Sequence, residues 1–563
     1  ITVQGVANLG AANYLPRVFP TEDRFQASDI LSWTQGRHLV KVGFDFSHVR
    51  DVQDQVFNGN GSYTYATFTD FALDLTGNTA GGKRWQNYSQ GFGPPLTETW
   101  IRDFAWFLQD QWPLRRGLTL NLGFRGETAQ FAQPKIFNPD YPQTRRIPEP
   151  GLNVAPRAGL AWSPFGPRTV IRAGYGLFFA RIPGGTINWL HRDNSAMQFT
   201  VFLQGNIAED RAIGPVFPNL IPDTGRRPAP GSTSITLAAD HWRTPYTAQA
   251  DLAIEQQLAR DTRITVSYLW SRGLAFTTVR DANIGPLGPL VTYRILDAAG
   301  NDAGTYTTPT YLRANRVDPR YQRIGVLESD GKIYYNALAV QLRHRQSKWL
   351  DGQFSYTWGH AIDYNLGVTG DNLFFGSTPR TLFNGDFRGE KGTSETDQRH
   401  RLVFNFISDL EFGLPNRWLR LLADNWQLSG IYTYATGPHA TPTIFVSGVP
   451  FTGAAYNTTL NGLGGSSRVP FLRRSHLDIG AVSRLDLRLS KSFLAGERWR
   501  LMALLEAFNV TNSQYDTAVR TQAYQASGGV LRSTLRLGEG TQSAGFPDGT
   551  NARRAQIGLR LMF

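Results

Sequence analysis

The chain has 563 residues, a formal net charge of +12, 57 glycines, 12% aromatic residues and no cysteine. Without cysteine it is not a disulfide-stapled secreted domain, and thiolate metal or redox chemistry is excluded. Its 57 Lys and Arg residues are scattered and form no block of five or more, so the charge does not predict nucleic-acid binding.

Segments in which apolar residues alternate with polar or small ones recur along the chain. No window approaches 18 consecutive apolar residues, which excludes a transmembrane helix, whereas a transmembrane β-barrel hides its apolar residues in alternate positions. The segments form seven pairs joined by short linkers, apart from a longer linker around Pro415 in the sixth pair, and a final segment, 553–563, stands alone. In chain order the pairs are 24–34 with 38–48, 99–112 with 117–128, 153–163 with 168–180, 247–258 with 261–271, 333–345 with 351–360, 399–412 with 425–436, and 483–493 with 498–510.

Long stretches rich in Gly, Pro and Asn separate the pairs. They cover residues 49–98, 129–152, 181–246, 272–332, 361–398, 437–482 and 511–552. Short turns on one side and long loops on the other are typical of outer-membrane barrels, in which the short turns are periplasmic. The sequence therefore predicts a periplasmic C-terminus, an extracellular start for residues 1–23, and one amphipathic helix in a loop at residues 69–75.

The aromatic residues divide into two groups along the predicted strands. One group lies near the short turns or the C-terminus: Trp33, Trp112, Trp162, Phe412, Trp426, Phe493, Trp499 and Phe563. The other lies toward the long loops: Phe46, Trp100, Tyr175, Phe179, Trp270, Trp358, Tyr432 and Tyr434. Two such girdles indicate the two interfaces of one bilayer.

Three charged residues fall on the outward face of this pattern. We expect Arg102 and Asp110 to lie at the membrane rims. For Asp29, in the middle of its strand, we expect a local bulge or a shifted phase, because a charge at mid-bilayer is unfavourable.

The count of predicted strands is odd. Fifteen antiparallel strands do not close into a barrel, and an open edge in lipid leaves backbone groups unpaired. Residues 1–6 could supply a sixteenth strand. Otherwise this chain, which opens at Ile1 without a Met or a signal peptide, is the C-terminal part of a larger barrel.

Several stretches resemble the barrel of TonB-dependent receptors of the Oar-like type. In chain order they are GRHLVKVGFDFSHV (36–49), FLQDQWPLRRGLTLNLGFRGE (107–127), NVAPRAGLAWSPFGPRTVIRAGYGLFFAR (153–181), YNALAVQLRHR (335–345), FSYTWGHAID (354–363), RHRLVFNFISDLEFG (399–413), NWQLSGIYTYATGPHATP (425–442), RLDLRLSKSF (484–493) and EAFNVTN (506–512), with the terminal Phe563. The resemblance covers nearly the whole chain.

This resemblance implies an all-β transmembrane antiparallel barrel of about 22 strands in a Gram-negative outer membrane. Residues 1–563 would then be one barrel domain that supplies strands eight to 22, and the N-terminal plug and first strands have no counterpart in them. The implied partners are the lipid bilayer, the plug and upstream strands, the TonB energy-coupling complex, the barrel assembly machinery and an unknown extracellular ligand.

Charged residues at inward positions are predicted to line a wet lumen. They are Arg125, Glu127, Arg157, Arg172, Arg343, Arg345, Arg399, Arg401, Arg484, Asp486, Arg488 and Glu506. An excess of Arg in a lumen attracts anionic groups. Alternatively, these residues pair with one another and with a plug, and we favour this satisfied network because a plugged barrel needs polar wall contacts.

The last strand carries a second candidate site. Its alternate apolar residues Ile557, Leu559, Leu561 and Phe563 resemble the signal by which the assembly machinery recognises a barrel. The alternative is that they only face lipid, and the two roles are compatible.

No Gly-x-Ser-x-Gly elbow, Walker loop or His-Glu-x-x-His motif occurs, so we expect no enzyme, catalytic residue, metal site or cofactor. The leading hypothesis is a receptor that captures an extracellular ligand and, with a plug and TonB, imports it. A passive pore or structural scaffold without active transport is the alternative, and a secreted β-rich enzyme ranks third.

Overall fold

The computed structural model describes residues 1–4, 6–10, 21–78, 82–224, 231–345, 349–366, 378–495, 499–543 and 552–563. Fifteen strands form the wall, and each predicted segment carries one of them. They are β1 Thr21–Gln35, β2 His38–Asp54, β3 Leu96–Arg115, β4 Leu118–Phe131, β5 Asn153–Trp162, β6 Thr169–Phe179, β7 Tyr246–Gln257, β8 Thr262–Asp281, β9 Ile324–Arg345, β10 Asp351–Asp363, β11 His400–Leu410, β12 Trp426–Ala435, β13 Val482–Ala495, β14 Trp499–Phe508 and β15 Arg554–Met562.

Tight turns join the strands of the first two predicted pairs. Gln35 pairs with His38 across a turn at Gly36 and Arg37, and Gly36 has a φ of +59°. At the next short turn Gly117 has a φ of +77°. Glycine suits both positions because side chains with a Cβ disfavour the left-handed region.

The wall is one continuous sheet, in which the strands follow one another in chain order, each antiparallel to the next. Within the described residues β1 pairs only with β2, and β15 pairs only with β14. As the first and last of fifteen alternating strands, β1 and β15 run in the same direction, so an antiparallel ladder cannot join them.

The expected sixteenth wall strand at residues 1–6 is wrong. Thr2–Val3 instead pairs with Ala7–Asn8 and with Ser62–Tyr65 in a sheet formed by the long loops. These first residues therefore lie with the long loops, as the predicted topology requires.

The bulge or shifted phase expected at Asp29 is also wrong. The register between β1 and β2 is continuous, and Asp29 lies opposite Phe44 on the outward face. Its carboxylate accepts a hydrogen bond from the backbone N–H of Ile30 at 2.8 Å. Because β1 has only one neighbouring strand among the described residues, some of its backbone N–H groups have no partner in a ladder. The Asp29 side chain accepts a hydrogen bond from one of these N–H groups.

Arg102 and Asp110 lie on the outward face, eight residues apart on β3. Arg102 stacks over the ring of Trp100, with its guanidinium carbon 4.4 Å from the centroid. Asp110 lies 2.7 Å from His38 near the short turn. Eight residues of strand span about 27 Å, roughly the height of the apolar band of an outer-membrane barrel, so the two charges bracket that band.

Within the described residues, four short helices lie outside the wall strands: α1 Phe68–Leu75, α2 Gly184–Arg192, α3 Ala208–Ile213 and α4 Arg417–Ala423. The helix predicted at residues 69–75 is confirmed as α1, and Thr67 caps it by accepting a hydrogen bond from the N–H of Asp70 at 3.1 Å. Single 3-10 turns form at Pro142–Arg145, Arg313–Asn315 and Arg388–Glu390. In the described part of the chain no helix is both long and apolar enough to cross a membrane.

The long loops fold into two further sheets and several short ladders, which together we call the cap. The first sheet contains Phe199–Gln204, Asn87–Phe92, Ser62–Tyr65, Thr2–Val3 and Ala7–Asn8. The second contains Asp302–Thr310, Gly288–Leu296, Val530–Ser533, Gln522–Ser527 and Thr443–Val446. The short ladders join Ile235–Ala238 to β9, Gly392–Thr393 to β10, His439–Ala440 to Leu477–Asp478, and Asp516–Val519 to Gly540–Ser543.

The buried apolar core lies mainly in the cap. Trp85, Tyr65 and Tyr88 are fully buried in one cluster, and Tyr293 and Leu531 in another. The outward side chains of the wall are exposed by contrast, as Leu31 at 71% and Leu559 at 74% illustrate. This inversion of an ordinary soluble core is typical of a wall that faces lipid.

Helix α2 attaches the cap to the inner side of the wall. Its Ile187 and Leu190 pack in a cluster with Phe131 at the end of β4, and the half-buried Ile101 of β3 packs against it. Ile101 alternates with the outward Trp100 and Arg102, so it belongs to the inner face. The loops therefore fold inward over the mouth of the wall.

Candidate functional site: the inner face of the wall

Arg125 and Glu127 lie next to one another on the inner face of β4. Their side chains form an ion pair of 2.9 Å. Asp45 of β2 and Asp103 of β3 are close by, and Arg181, just after β6, lies 3.5 Å from Asp45 and 3.7 Å from Asp103. Two arginines and three carboxylates therefore form one group near the long-loop end.

A second group crosses four strands. Glu255 of β7 lies 3.7 Å from Arg172 of β6 and 2.6 Å from Arg263 of β8. Arg343 of β9 is directly opposite Arg263 in the register. One carboxylate thus serves two arginines, with a third arginine beside them.

The third group joins the last three strands. Arg484 and Asp486 of β13 form an ion pair of 2.9 Å, and the Arg484 side chain is only 6% exposed. Arg488 lies 2.5 Å from Glu506 of β14, which also accepts a hydrogen bond from Gln556 of β15. The four predicted charges of β13 and β14 are therefore paired locally.

The remaining predicted residues have different surroundings. Arg399 pairs with the buried Asp397 at 3.0 Å, and the guanidinium of Arg157 lies over the ring of Phe178 at 4.6 Å. Within the described residues, Arg343, Arg345 and Arg401 have no carboxylate oxygen within 4 Å, and all three are exposed. Eight of the twelve predicted residues thus lie in ion pairs, one stacks on an aromatic ring and three carry uncompensated charge.

The sequence interpretation missed five members of these groups. Asp45 alternates with the outward Phe44 and Phe46, but the predicted set does not include it. Asp103, Glu255 and Arg263 also occupy inward positions and were detectable by the same alternation. Arg181 lies beyond the end of β6, and no periodic pattern identifies it.

The last strand lies at the edge of the wall. Ile557 and Leu559 are outward, at 81% and 74% exposure, and Leu561 and Phe563 are also exposed. The rings of Phe563 and Trp499 are 5.6 Å apart, which places the C-terminus beside the start of β14. The C-terminus is therefore on the short-turn side. Recognition of these residues by the assembly machinery remains a prediction.

Hydrogen bonds in the cap join loops from distant parts of the wall. Gln86, between β2 and β3, donates to the carbonyl of Val446, between β12 and β13, at 3.0 Å. Gln204, between β6 and β7, donates to the carbonyl of Ala455 at 3.1 Å. A cavity of about 530 Å³ opens among the loops and is lined by polar residues that include Arg380, Glu395 and Arg468.

No curated protein matches the sequence. Among solved structures, the outer membrane transporter YddB from Escherichia coli is 12% identical with a TM-score of 0.47, and the match covers 96% of this chain and 54% of that one. The FrpB iron transporter from Neisseria meningitidis, in its F5-1 apoprotein form, is 12% identical with a TM-score of 0.48, over 97% and 56% of the two chains.

BauA, the ferric preacinetobactin receptor from Acinetobacter baumannii, is 11% identical with a TM-score of 0.42, over 97% of this chain and 54% of that one. The chain therefore spans about half the length of these solved proteins. The model of the outer membrane beta barrel domain matches residues 1–544 of this sequence. The chain belongs to this outer-membrane β-barrel family.

Proposed function

We propose that this chain is the main part of the barrel of a TonB-dependent receptor of the Oar-like type. Its cap captures an extracellular ligand, and a plug together with TonB imports that ligand. In this proposal the chain supplies strands eight to 22, and upstream strands pair with the free edges of β1 and β15. The chain carries no catalytic activity and binds no cofactor of its own.

The observation that carries the proposal is the meeting of distant loops over the mouth. The bonds from Gln86 to Val446 and from Gln204 to Ala455 connect loops that leave the wall many strands apart. A freely open pore does not need loops with buried aromatic cores across its entrance. A receptor does, because a rigid surface with a polar cavity can bind a ligand specifically.

The paired charges on the inner face support the same function. Ion pairs such as Arg125–Glu127 and Arg488–Glu506 give the wall a polar surface with little net charge, against which a plug can pack. Three unpaired arginines, Arg343, Arg345 and Arg401, instead favour the second candidate, a passive pore or scaffold. Such a pore would prefer anions.

Conductance of the full-length gene product in planar bilayers, with KCl as the permeant probe, separates these candidates. A plugged receptor stays closed at rest and opens only when urea unfolds the plug. Its purified form also binds the isolated periplasmic domain of TonB, as calorimetry can measure. A steady ohmic conductance without urea, together with no binding of TonB, would identify a passive pore.

A further inference from the structure

A cavity of about 890 Å³ opens on the outward face of the wall, at the long-loop end of β7 to β10. Arg272, which lines it, lies opposite Ala248 and Tyr334 in the register. This row of residues alternates with the inward row that contains Glu255 and Arg263. The cavity is therefore on the lipid side of the wall and not in the lumen.

Four cationic side chains line this cavity: Arg243, Arg272, Lys332 and Arg388. Across the part of the chain that the structure describes, none of the four has a carboxylate oxygen within 4 Å. The lining also contains Asp330 and Asp386. Asp386 accepts hydrogen bonds from the backbone N–H groups of Arg388 and Gly389, at 3.0 and 3.4 Å, and so faces its own loop.

Aromatic rings hold the cations at the wall surface. The guanidinium of Arg272 lies 5.5 Å from the centroid of Tyr334, and the ammonium of Lys332 lies 6.0 Å from that of Tyr364. Lys391, just outside the cavity, also lies over Tyr334, at 5.5 Å. Such contacts orient a cation but do not neutralise it, so the charge stays available to an anion.

The depth of the site in the membrane follows from the neighbouring tryptophan. Trp270 belongs to the aromatic group on the long-loop side, and Arg272 lies two residues farther along β8. Two residues of strand span about 7 Å. The cations therefore lie just outside the apolar band, at the level of the headgroups of the outer leaflet.

We infer that this cavity binds the phosphate-bearing headgroup of an outer-leaflet lipid. Three guanidinium groups offer paired N–H donors to phosphate oxygens, and the lysine adds a fourth positive charge. Free phosphate has the same chemistry, but the opening toward the lipid and the position beside Trp270 favour a headgroup. The site is independent of the proposed transport, because the cavity lies outside the lumen.

Titration of the full-length protein in detergent, followed by native mass spectrometry, tests this site. The probes are diphosphorylated lipid A and its dephosphorylated form. We expect the phosphorylated lipid to bind about tenfold more tightly, with a preference that weakens as salt rises. The triple variant Arg272→Gln, Lys332→Gln and Arg388→Gln should lose this preference.

A second triple variant controls for the loss of charge. Arg343→Gln, Arg345→Gln and Arg401→Gln remove three unpaired cations from the inner face and should keep the lipid preference. Heat-modifiable migration in gels shows that each variant is folded. Two results would overturn the site: an undiminished preference in the first variant, or full displacement of the lipid by inorganic phosphate at equal concentration.

Discussion

At the scale of single residues, Asp193 shows how the cap constrains a charge. It follows helix α2 and is buried, and its carboxylate accepts a hydrogen bond from the Thr236 hydroxyl at 2.5 Å. Burial raises the pKa of Asp193 to about 7, although Thr236 and Arg192 act in the opposite direction. The proton is therefore held much more tightly in the folded cap than in an unfolded chain.

The raised pKa of Asp193 predicts that the stability of the folded cap depends on pH. Between about pH 4 and pH 7 the folded state binds more protons than the unfolded state, so stability falls as pH rises, by about 1.4 kcal/mol per unit. Asp193→Asn removes this dependence. Hydrogen exchange of residues 184–192 and 235–238 should show greater protection of the variant than of the wild type at pH 8, and equal protection near pH 4.

Asp318 provides a control of opposite sign. Hydrogen bonds from the Arg320 guanidinium hold the pKa of Asp318 down at about 2, so its ionised form stabilises the folded state above about pH 4. Asp318→Asn should therefore weaken protection around residue 318 at pH 8. If both variants changed hydrogen-exchange protection in the same direction at pH 8, the burial of Asp193 would not explain the change seen in Asp193→Asn.

At the scale of elements, the strands were predictable and α4 was not. The alternation of residues predicts each strand of the wall, because a strand between lipid and water must change character at every position. Helix α4 occupies the linker after β11 and has seven residues, too few for a helical period to be recognised. Asn416 caps its start, and the ammonium of Lys491 lies 3.3 Å from the carbonyl of Leu422 near its end.

The terminal strand gives the prediction at this scale. If β15 is the assembly signal, Leu559→Ser should lower the folded, heat-modifiable fraction in isolated outer membranes several-fold. Leu487→Ser is the matched control, because Leu487 is an outward leucine of β13, away from the terminus. Each change removes the burial of a leucine side chain in lipid, which contributes about 1.5–3 kcal/mol of free energy.

The comparison between the two variants decides the role of Leu559. A larger loss for Leu559→Ser than for Leu487→Ser supports recognition of the strand by the assembly machinery. Equal losses would show that Leu559 does no more than face lipid, the simpler interpretation of these positions.

At the scale of the whole molecule, the wall has two edges. The strands β1 and β15 have one neighbour each among the described residues, and their outward side chains are largely exposed. Unpaired edges are unfavourable in a membrane because backbone groups there lack hydrogen bonds. The proposed barrel, with further strands between β1 and β15, would pair both edges.

Engineered disulfides test this arrangement, since the chain has no cysteine of its own. Pairs that join Ser28, Ile30 or Ser32 of β1 to Gly558 or Arg560 of β15, each changed to Cys, should not form disulfides in membranes that contain the full-length protein. One intervening strand already separates two strands by about 9.6 Å, beyond the reach of a disulfide.

The matched control joins two residues that are known to be neighbours. Gln26→Cys and Ser47→Cys face one another across β1 and β2 and should become oxidised readily. Efficient oxidation of any β1–β15 pair would show that these strands are adjacent and would remove the need for additional strands.

The sequence by itself determined the number, order and facing of the wall strands. Each side chain of a wall strand faces either lipid or water, so apolar and polar residues alternate along the strand and the pattern can be recognised in the local sequence. The same rule detected inward charges such as Arg125 and Arg488. It placed Asp29 outward as well, and the structure retains that unfavourable position without a bulge.

Only the tertiary structure decided the cap, the partners of the inward charges and the outward cavity. Thr2–Val3 and Ala7–Asn8 join the cap, and Glu255 bridges arginines of two neighbouring strands. The cavity assembles Arg243, Arg272, Lys332 and Arg388 from four separate parts of the chain. Contacts between residues so distant in sequence depend on how the loops fold over the wall, and no local period encodes that folding.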